Sequence, residues 1–244
     1  FAWDWICLGL DLFGTDGQTS PLLTANQRAE QIRYRAPMAE SKAAEESPSA
    51  PVASNEGPDT QDEGMLSGVS FAEIGVVDTL VKSCEKLGWN TATQIQRQVL
   101  PEALQGRDII GLAETGSGKT ASFVLPILQG LLQNPVRAVA ALILTPTREL
   151  ALQIHHVVSA LGESIHATSC CIVGGVDRTS QAIALARNPH VVVATPGRLL
   201  DHLKDTKGFH LQKVRYLVLD EADRMLSMDF EEELHSILDN VPSE

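Results

Sequence analysis

From about residue 70 onward, short apolar runs alternate with longer mixed stretches, and this alternation predicts the architecture. The runs lie at 109–112, 138–144, 169–173, 190–194 and 214–219. Spacings of roughly 20–30 residues leave room for one crossover helix each, so neighbouring strands should run parallel. One crossover shows a period of its own: Leu150, Ile154, Val157 and Leu161 step by 4, 3 and 4, which predicts an amphipathic helix. The expected fold is a doubly wound α/β domain that binds ligand at the carboxyl ends of its strands.

The first 64 residues do not follow this pattern. Phe1-Ala2-Trp3-Asp4-Trp5-Ile6-Cys7-Leu8 is apolar, but Asp4 interrupts it and Asp11 follows, without the basic start of a signal peptide. From about 36 to 64 the chain is mostly Ala, Ser, Pro, Glu and Asp, which cannot bury enough apolar surface to offset the entropy of ordering. We expect 1–64 to be a disordered acidic tail and 65–244 to fold. Because Phe1 stands where Met would, we also expect a processed form or a fragment of a longer chain.

Composition changes this picture in three places. With 244 residues, 43% of them hydrophobic, the chain can build a real core, and no run approaches the roughly 18–20 apolar residues of a membrane span. The net charge of −12 argues against a uniformly basic, nucleic-acid-binding surface. Residues 1–64 hold 11 of the 31 acidic side chains and only 4 of the 19 basic ones, so a local basic patch on the remainder stays open. Cys7, Cys84, Cys170 and Cys171 show no C-x-x-C spacing and read as reduced thiols of a cytosolic or nuclear protein.

The candidate chemistry begins at Ala113-Glu114-Thr115-Gly116-Ser117-Gly118-Lys119-Thr120. In a phosphate-cradling loop, backbone N–H groups wrap the phosphates, a Lys reaches the outer ones and a Thr hydroxyl ligates Mg²⁺. Lys119 and Thr120 stand at those two places, although Ala113 replaces the usual first Gly. The loop lies between a predicted strand and a predicted helix, whose N-terminus adds partial positive charge. A flexible glycine turn with a solvated Lys would not need that order. The second signal is Val218-Leu219-Asp220-Glu221-Ala222-Asp223, an apolar strand ending in acids. Asp220 fits the second Mg²⁺ contact, and Glu221 fits a base that orients and deprotonates the attacking water.

On these two motifs the chain from about Phe71 resembles the first RecA-like domain of a DEAD-box ATP-dependent RNA helicase, with six family motifs in family order. Upstream, Gly88-Trp89-Asn90-Thr91-Ala92-Thr93-Gln94-Ile95-Gln96 is similar to the adenine-reading Q motif, with Ala92 where the family usually has Pro. The resemblance assigns Gln96 to the N6/N7 edge of adenine, which an amide can match by donating and accepting at once. It places Phe71 as the aromatic that stacks on the base and Trp89 beside it. Downstream, Pro146-Thr147-Arg148-Glu149, Gly174-Gly175 and Thr195-Pro196-Gly197-Arg198 resemble RNA-facing motifs. There Thr147, Arg148, Gly175, Thr195 and Arg198 would hold RNA by its backbone, independently of sequence.

The resemblance implies ATP and Mg²⁺ as cofactors, with Lys119, Asp220 and Glu221 as the catalytic set. Gly106-Arg107-Asp108, Thr206-Lys207-Gly208-Phe209 and Asp223-Arg224-Met225-Leu226 with Met228-Asp229-Phe230 look closest to the nucleolar branch that processes ribosomal RNA. That would place the protein in the nucleolus, with the cytoplasm as the alternative. The family's Ser-Ala-Thr motif and second RecA-like domain would follow Glu244, and without them we expect weak nucleotide binding and no unwinding. Two other readings stay open: a P-loop ATPase acting on DNA or protein, and a non-catalytic truncated regulatory or RNA-binding fragment. We expect His155-His156 to be a solvated or capped pair, Glu231-Glu232-Glu233 to be a solvated helix face, and Trp3 and Trp5 to be isolated from every motif.

Overall fold

The computed structural model describes residues 5–9, 68–114, 116–227 and 230–242. Trp3, most of the expected acidic tail, Thr115, Met228 and Asp229 lie outside the described residues.

Four of the five predicted runs are strands of one sheet: β3 (Ala141–Leu144), β4 (Ser169–Ile172), β5 (Val191–Ala194) and β6 (Tyr216–Asp220). The fifth is β2 (Ile109–Gly111), and an unexpected strand, β1 (Trp5–Gly9), lies beside it. The order is β2-β1-β6-β3-β5-β4. Strand β3 pairs in parallel with both β5 and β6, and β4 with β5. Strand β1 is antiparallel to both its neighbours, so β2 and β6 point the same way.

This amends the tail at one place. Residues 5–9 were expected to be part of a disordered segment, and they form a strand in the middle of the sheet. The compositional argument applied to 36–64, whereas Trp-Ile-Cys-Leu-Gly is a short apolar run with strand-forming residues. Nor is Trp5 isolated: in the backbone register it faces Gly111 on one side and Asp220 on the other.

Alternation along the strands builds two cores. Ala141, Ile143, Val191, Val193 and Val218 face one of them. It also takes side chains from α1 (Phe71–Ile74), α2 (Asp78–Lys86), α3 (Gln94–Ala103), α4 (Lys119–Gln133) and α5 (Arg148–Gly162). Leu142, Leu144, Val192, Ala194, Leu217 and Leu219 face the other. There α6 (Arg178–Ala186), α7 (Pro196–Asp205), α8 (Ala222–Ser227) and α9 (Glu231–Leu238) cover the sheet. The result is a doubly wound α/β sandwich, as the intervals predicted. Helix α4 is buried from Ala121 to Leu131, which explains its almost uninterrupted apolar sequence.

Helix α5 is where expected, but its buried stripe is Ala151, Ile154, Val158 and Leu161. Leu150 and Val157 sit half-buried beside it, because a small residue at 151 lets the helix roll closer to the sheet. His156 is exposed and His155 half-buried. Glu231, Glu232 and Glu233 occupy the first turn of α9, where acids complement the helix dipole. Burial pushes the thiols of Cys84, Cys170 and Cys171 up to about 11, 12 and 11, so they stay protonated at neutral pH. All three are free. Among the described residues no helix is long and apolar enough to cross a membrane.

Two histidines link the fold to pH. Burial lowers the pKa of both His155 and His202, and the Arg178 and Arg198 charges push His202 further down. The folded state therefore binds fewer protons than the unfolded chain, whose histidines titrate near 6.5. Their contribution is fully present above that value and is lost as pH falls through the lowered ones. The melting temperature should drop between pH 7 and pH 5, and His202→Gln should flatten that slope. A pH-independent melting temperature over this range would refute the assignment.

Candidate functional site

The loop from Ala113 to Thr120 leaves the carboxyl end of β2 and opens α4 at Lys119. Gly116 and Gly118 take left-handed backbone at φ 85° and 94°, which only glycine adopts without strain. A Cβ on Gly116 would meet nothing within 4 Å, so that side of the loop is open to an approaching group. Ser117 Oγ is buried and has no hydrogen-bond partner. Lys119 Nζ donates to the Ala113 carbonyl at 2.7 Å, folding back across its own loop. An unsatisfied hydroxyl, an open glycine turn and a long helix N-terminus fit a phosphate group.

Gln96 lies under this loop, 4% exposed. Its Oε1 accepts from the Thr93 N–H at 2.9 Å, completing a capping box at the start of α3. Its Nε2 donates to the Gly118 carbonyl at 3.0 Å. The expected adenine reader thus ties the Q-motif helix to the phosphate loop, with one N–H and one lone pair left for any base. A Cβ at Gly118 would come within 2.5 Å of that amide nitrogen. Gly118→Ala should therefore cost about 1–2 kcal/mol from its left-handed backbone alone and displace Gln96. Thermal unfolding and titration with a fluorescent nucleotide measure the two effects, and parent-like values in both would contradict this geometry.

The aromatic expectation needs correction. Phe71 is 1% exposed and belongs to the core under α1, so its ring has no face free for a base. The Ser70–Glu73 capping box opens α1 at residue 71, the residue that enters the core. Trp89 is half-buried and packs against the same core. Thr115 lies outside the described residues.

Asp220 ends β6 and is 9% exposed. It and Gly111 both face Trp5 across the sheet, so the two strand ends are two inter-strand spacings apart, roughly 10 Å. Thr120, in the first turn of α4, lies on the same edge of the sheet. Among the described residues no group of three or more His, Cys, Asp or Glu side chains could hold a metal. Mg²⁺ needs no such cage, since it is usually held by one or two carboxylates together with substrate phosphates. Glu221 takes a left-handed φ of 51°, an uncommon conformation for a residue with a side chain. Its carboxylate pairs with Arg224 Nη1 at 2.9 Å. Any action as a base requires it to leave that partner or share it.

The three motifs expected to face RNA gather at the carboxyl ends of the adjacent strands β3, β5 and β4. Arg148 Nη1 donates to the Gly174 carbonyl at 3.4 Å, and Arg198 Nη1 to the Val176 carbonyl at 2.8 Å. The two arginines grip one turn, 174–176, and the left-handed Gly175 lies under Arg148, where a Cβ would collide with the guanidinium. The Arg148 side chain is 56% exposed and the Arg198 side chain 15%. Arg148 thus keeps donors for an outside anion, whereas Arg198 serves mainly within the fold. Thr147 caps α5 by accepting from the Leu150 N–H at 3.3 Å, and Thr195 precedes α7 without a side-chain cap.

Two features were missed from sequence. Thr145, fully buried, follows β3 where its parallel register with β6 places it next to Asp220, and its hydroxyl has no hydrogen-bond partner among the described residues. Gln181 and His202 form a buried polar chain beneath the 174–176 turn. A hydroxyl ending an apolar strand could have signalled the first, but no local pattern signals the second.

The human probable ATP-dependent RNA helicase DDX47 is 58% identical over 173 residues, covering 71% of this chain and 38% of its own length. The ATP-dependent rRNA helicase rrp3 of Aspergillus terreus is 57% identical over 173 residues, covering 71% and 39%. The DEAD-box ATP-dependent RNA helicase 10 of Arabidopsis thaliana is 53% identical over 186 residues, covering 72% and 41%. The chain spans about two fifths of the length of these curated relatives. The DEAD/DEAH box helicase model matches residues 93–244, well over half of the chain, and the chain belongs to that family.

Proposed function

We propose that this chain is the ATP-binding half of an RNA helicase that couples ATP hydrolysis to remodelling of RNA duplexes. The observation that carries this reading is the placement of the phosphate loop and Asp220 on one half of a sheet edge and the Arg148–Arg198 turn on the other. In this reading Lys119, Ser117 and the loop amides hold the ATP phosphates, and Thr120 and Asp220 hold Mg²⁺. Glu221 directs the attacking water once it is released from Arg224. Arg148 and the 174–176 turn hold the sugar-phosphate backbone, and sequence is not read. Adenine contacts come from what remains of the Gln96 amide.

The rRNA helicase relative supports ribosomal RNA processing, and hence the nucleolus, as its setting. In the whole protein, by family resemblance, a second RecA-like domain would supply the opposite wall of the ATP site. The test is RNA-stimulated ATP hydrolysis by the whole protein. Glu221→Gln should remove it while leaving ATP affinity in place. Hydrolysis at the parent rate would exclude Glu221 as the base, and stimulation by DNA but not RNA would exclude the RNA reading.

A further inference from the structure

The 174–176 turn is held from below as well as from above. Val173, the residue before it, is 2% exposed, and its carbonyl accepts a 2.8 Å hydrogen bond from Gln181 Nε2. With the amide nitrogen facing that carbonyl, Gln181 Oε1 must point the other way, where His202 Nε2 stands at 3.2 Å. An amide oxygen can only accept, so Nε2 carries the proton. Nδ1 is then left to accept from the Thr206 hydroxyl at 2.7 Å. Thr206, His202, Gln181 and Val173 thus form a hydrogen-bond chain with one direction, running from the C-cap of α7 to the base of the turn.

Gln181 is 4% and His202 1% exposed, so these two side chains are shielded from water and depend on their protein partners, while Thr206 at the end is half-buried. His202 also lies four residues after Arg198, on the same side of α7. One helix therefore reaches the turn twice, through Arg198 at Val176 and through His202 and Gln181 at Val173. Apolar side chains could fill this volume, but they would not fix the direction in which the Val173 carbonyl, and hence the next peptide units, point.

We propose that Gln181 and His202 are positioning residues for RNA-backbone binding, holding the 174–176 turn so that its amides and Arg148 present one fixed surface to phosphate. This rests on the RNA reading above.

The test uses the chain itself with a fluorescein-labelled single-stranded oligouridine RNA, a fluorescent ADP analogue and amide hydrogen exchange. Gln181→Leu keeps the volume and removes both bonds. RNA affinity should fall about tenfold, the usual size for a lost buried hydrogen bond, and exchange at 174–176 should speed up. Nucleotide affinity and the protection of β4 and β5 should stay at parent values. Thr206→Val, at the half-buried end of the chain, serves if Gln181→Leu does not fold, with a smaller loss in the same direction. Parent-like RNA affinity in a folded variant would overturn the inference alone, as would parallel loss of RNA and nucleotide affinity, which marks general destabilisation. A parent chain that binds nucleotide but not RNA would overturn the RNA reading and this inference with it.

Discussion

Lys119→Ala should lower nucleotide affinity of the chain by about 100-fold and ATP turnover of the whole protein by about 10³-fold or more, as expected for loss of the charge that faces developing phosphate charge. The structure explains why this is the most sensitive position. Lys119 is the first residue of α4, so its backbone sits at the positive helix end while its side chain spans the loop to Ala113. In the proposed role, one residue would bring both full and partial positive charge to the same anion. Removing the side chain also frees the Ala113 carbonyl from its 2.7 Å partner, so the loop loses a tie across its mouth. Lys119→Arg should not rescue, because a planar fork cannot replace a compact ammonium in a glycine turn. Retained affinity in either variant, measured with the fluorescent analogue, would remove the phosphate assignment.

Deletion of residues 1–9 should free the phosphate-loop strand from the sheet. Among the described residues β2 pairs with no strand but β1, and β1 joins it to β6. The deletion removes backbone hydrogen bonds on both sides of a strand that lies between two others, each contributing about 0.5–1.5 kcal/mol. Ile6 faces Ile110 and Leu219 in the register, so Ile6→Pro attacks the same pairing by removing one donor. Amide exchange at Ile109, Ile110 and Gly111 should accelerate by at least about 100-fold, matching the loss of a few kcal/mol of local protection. The β3, β4 and β5 amides should stay protected. Nucleotide affinity should fall with it, since the loop and Asp220 lose their common spacer. Unchanged protection at 109–111 would show that β2 is held by α3 and the core instead.

Much of this protein was legible because its signals are local. A glycine turn between an apolar run and a helix predicts left-handed backbone at its glycines, and Gly116 and Gly118 adopt it. Alternation along each run decided which side chains enter which core, as at Leu142 against Ile143. Phe71 shows the limit: an aromatic in the expected place along the chain packs into the core, which depends on how its short helix docks. Helix α5 shows it again, since a period of 3.6 fits either of two adjacent stripes and packing selected the one with Ala151.

The order of residues dictated the parallel α/β class, the loop, the acidic strand end and the family, since each depends on spacing within a few residues or on a repeat of one unit. Contacts across long separations could be settled only by the fold. They include the β1 strand beside Asp220 and the Gln96 amide under Gly118, one bringing together residues 215 apart in sequence and the other residues 22 apart. They also include the Val173–Gln181–His202 chain under the RNA-facing turn. A buried polar group finds its partner wherever packing places one, and that location leaves no period in the sequence.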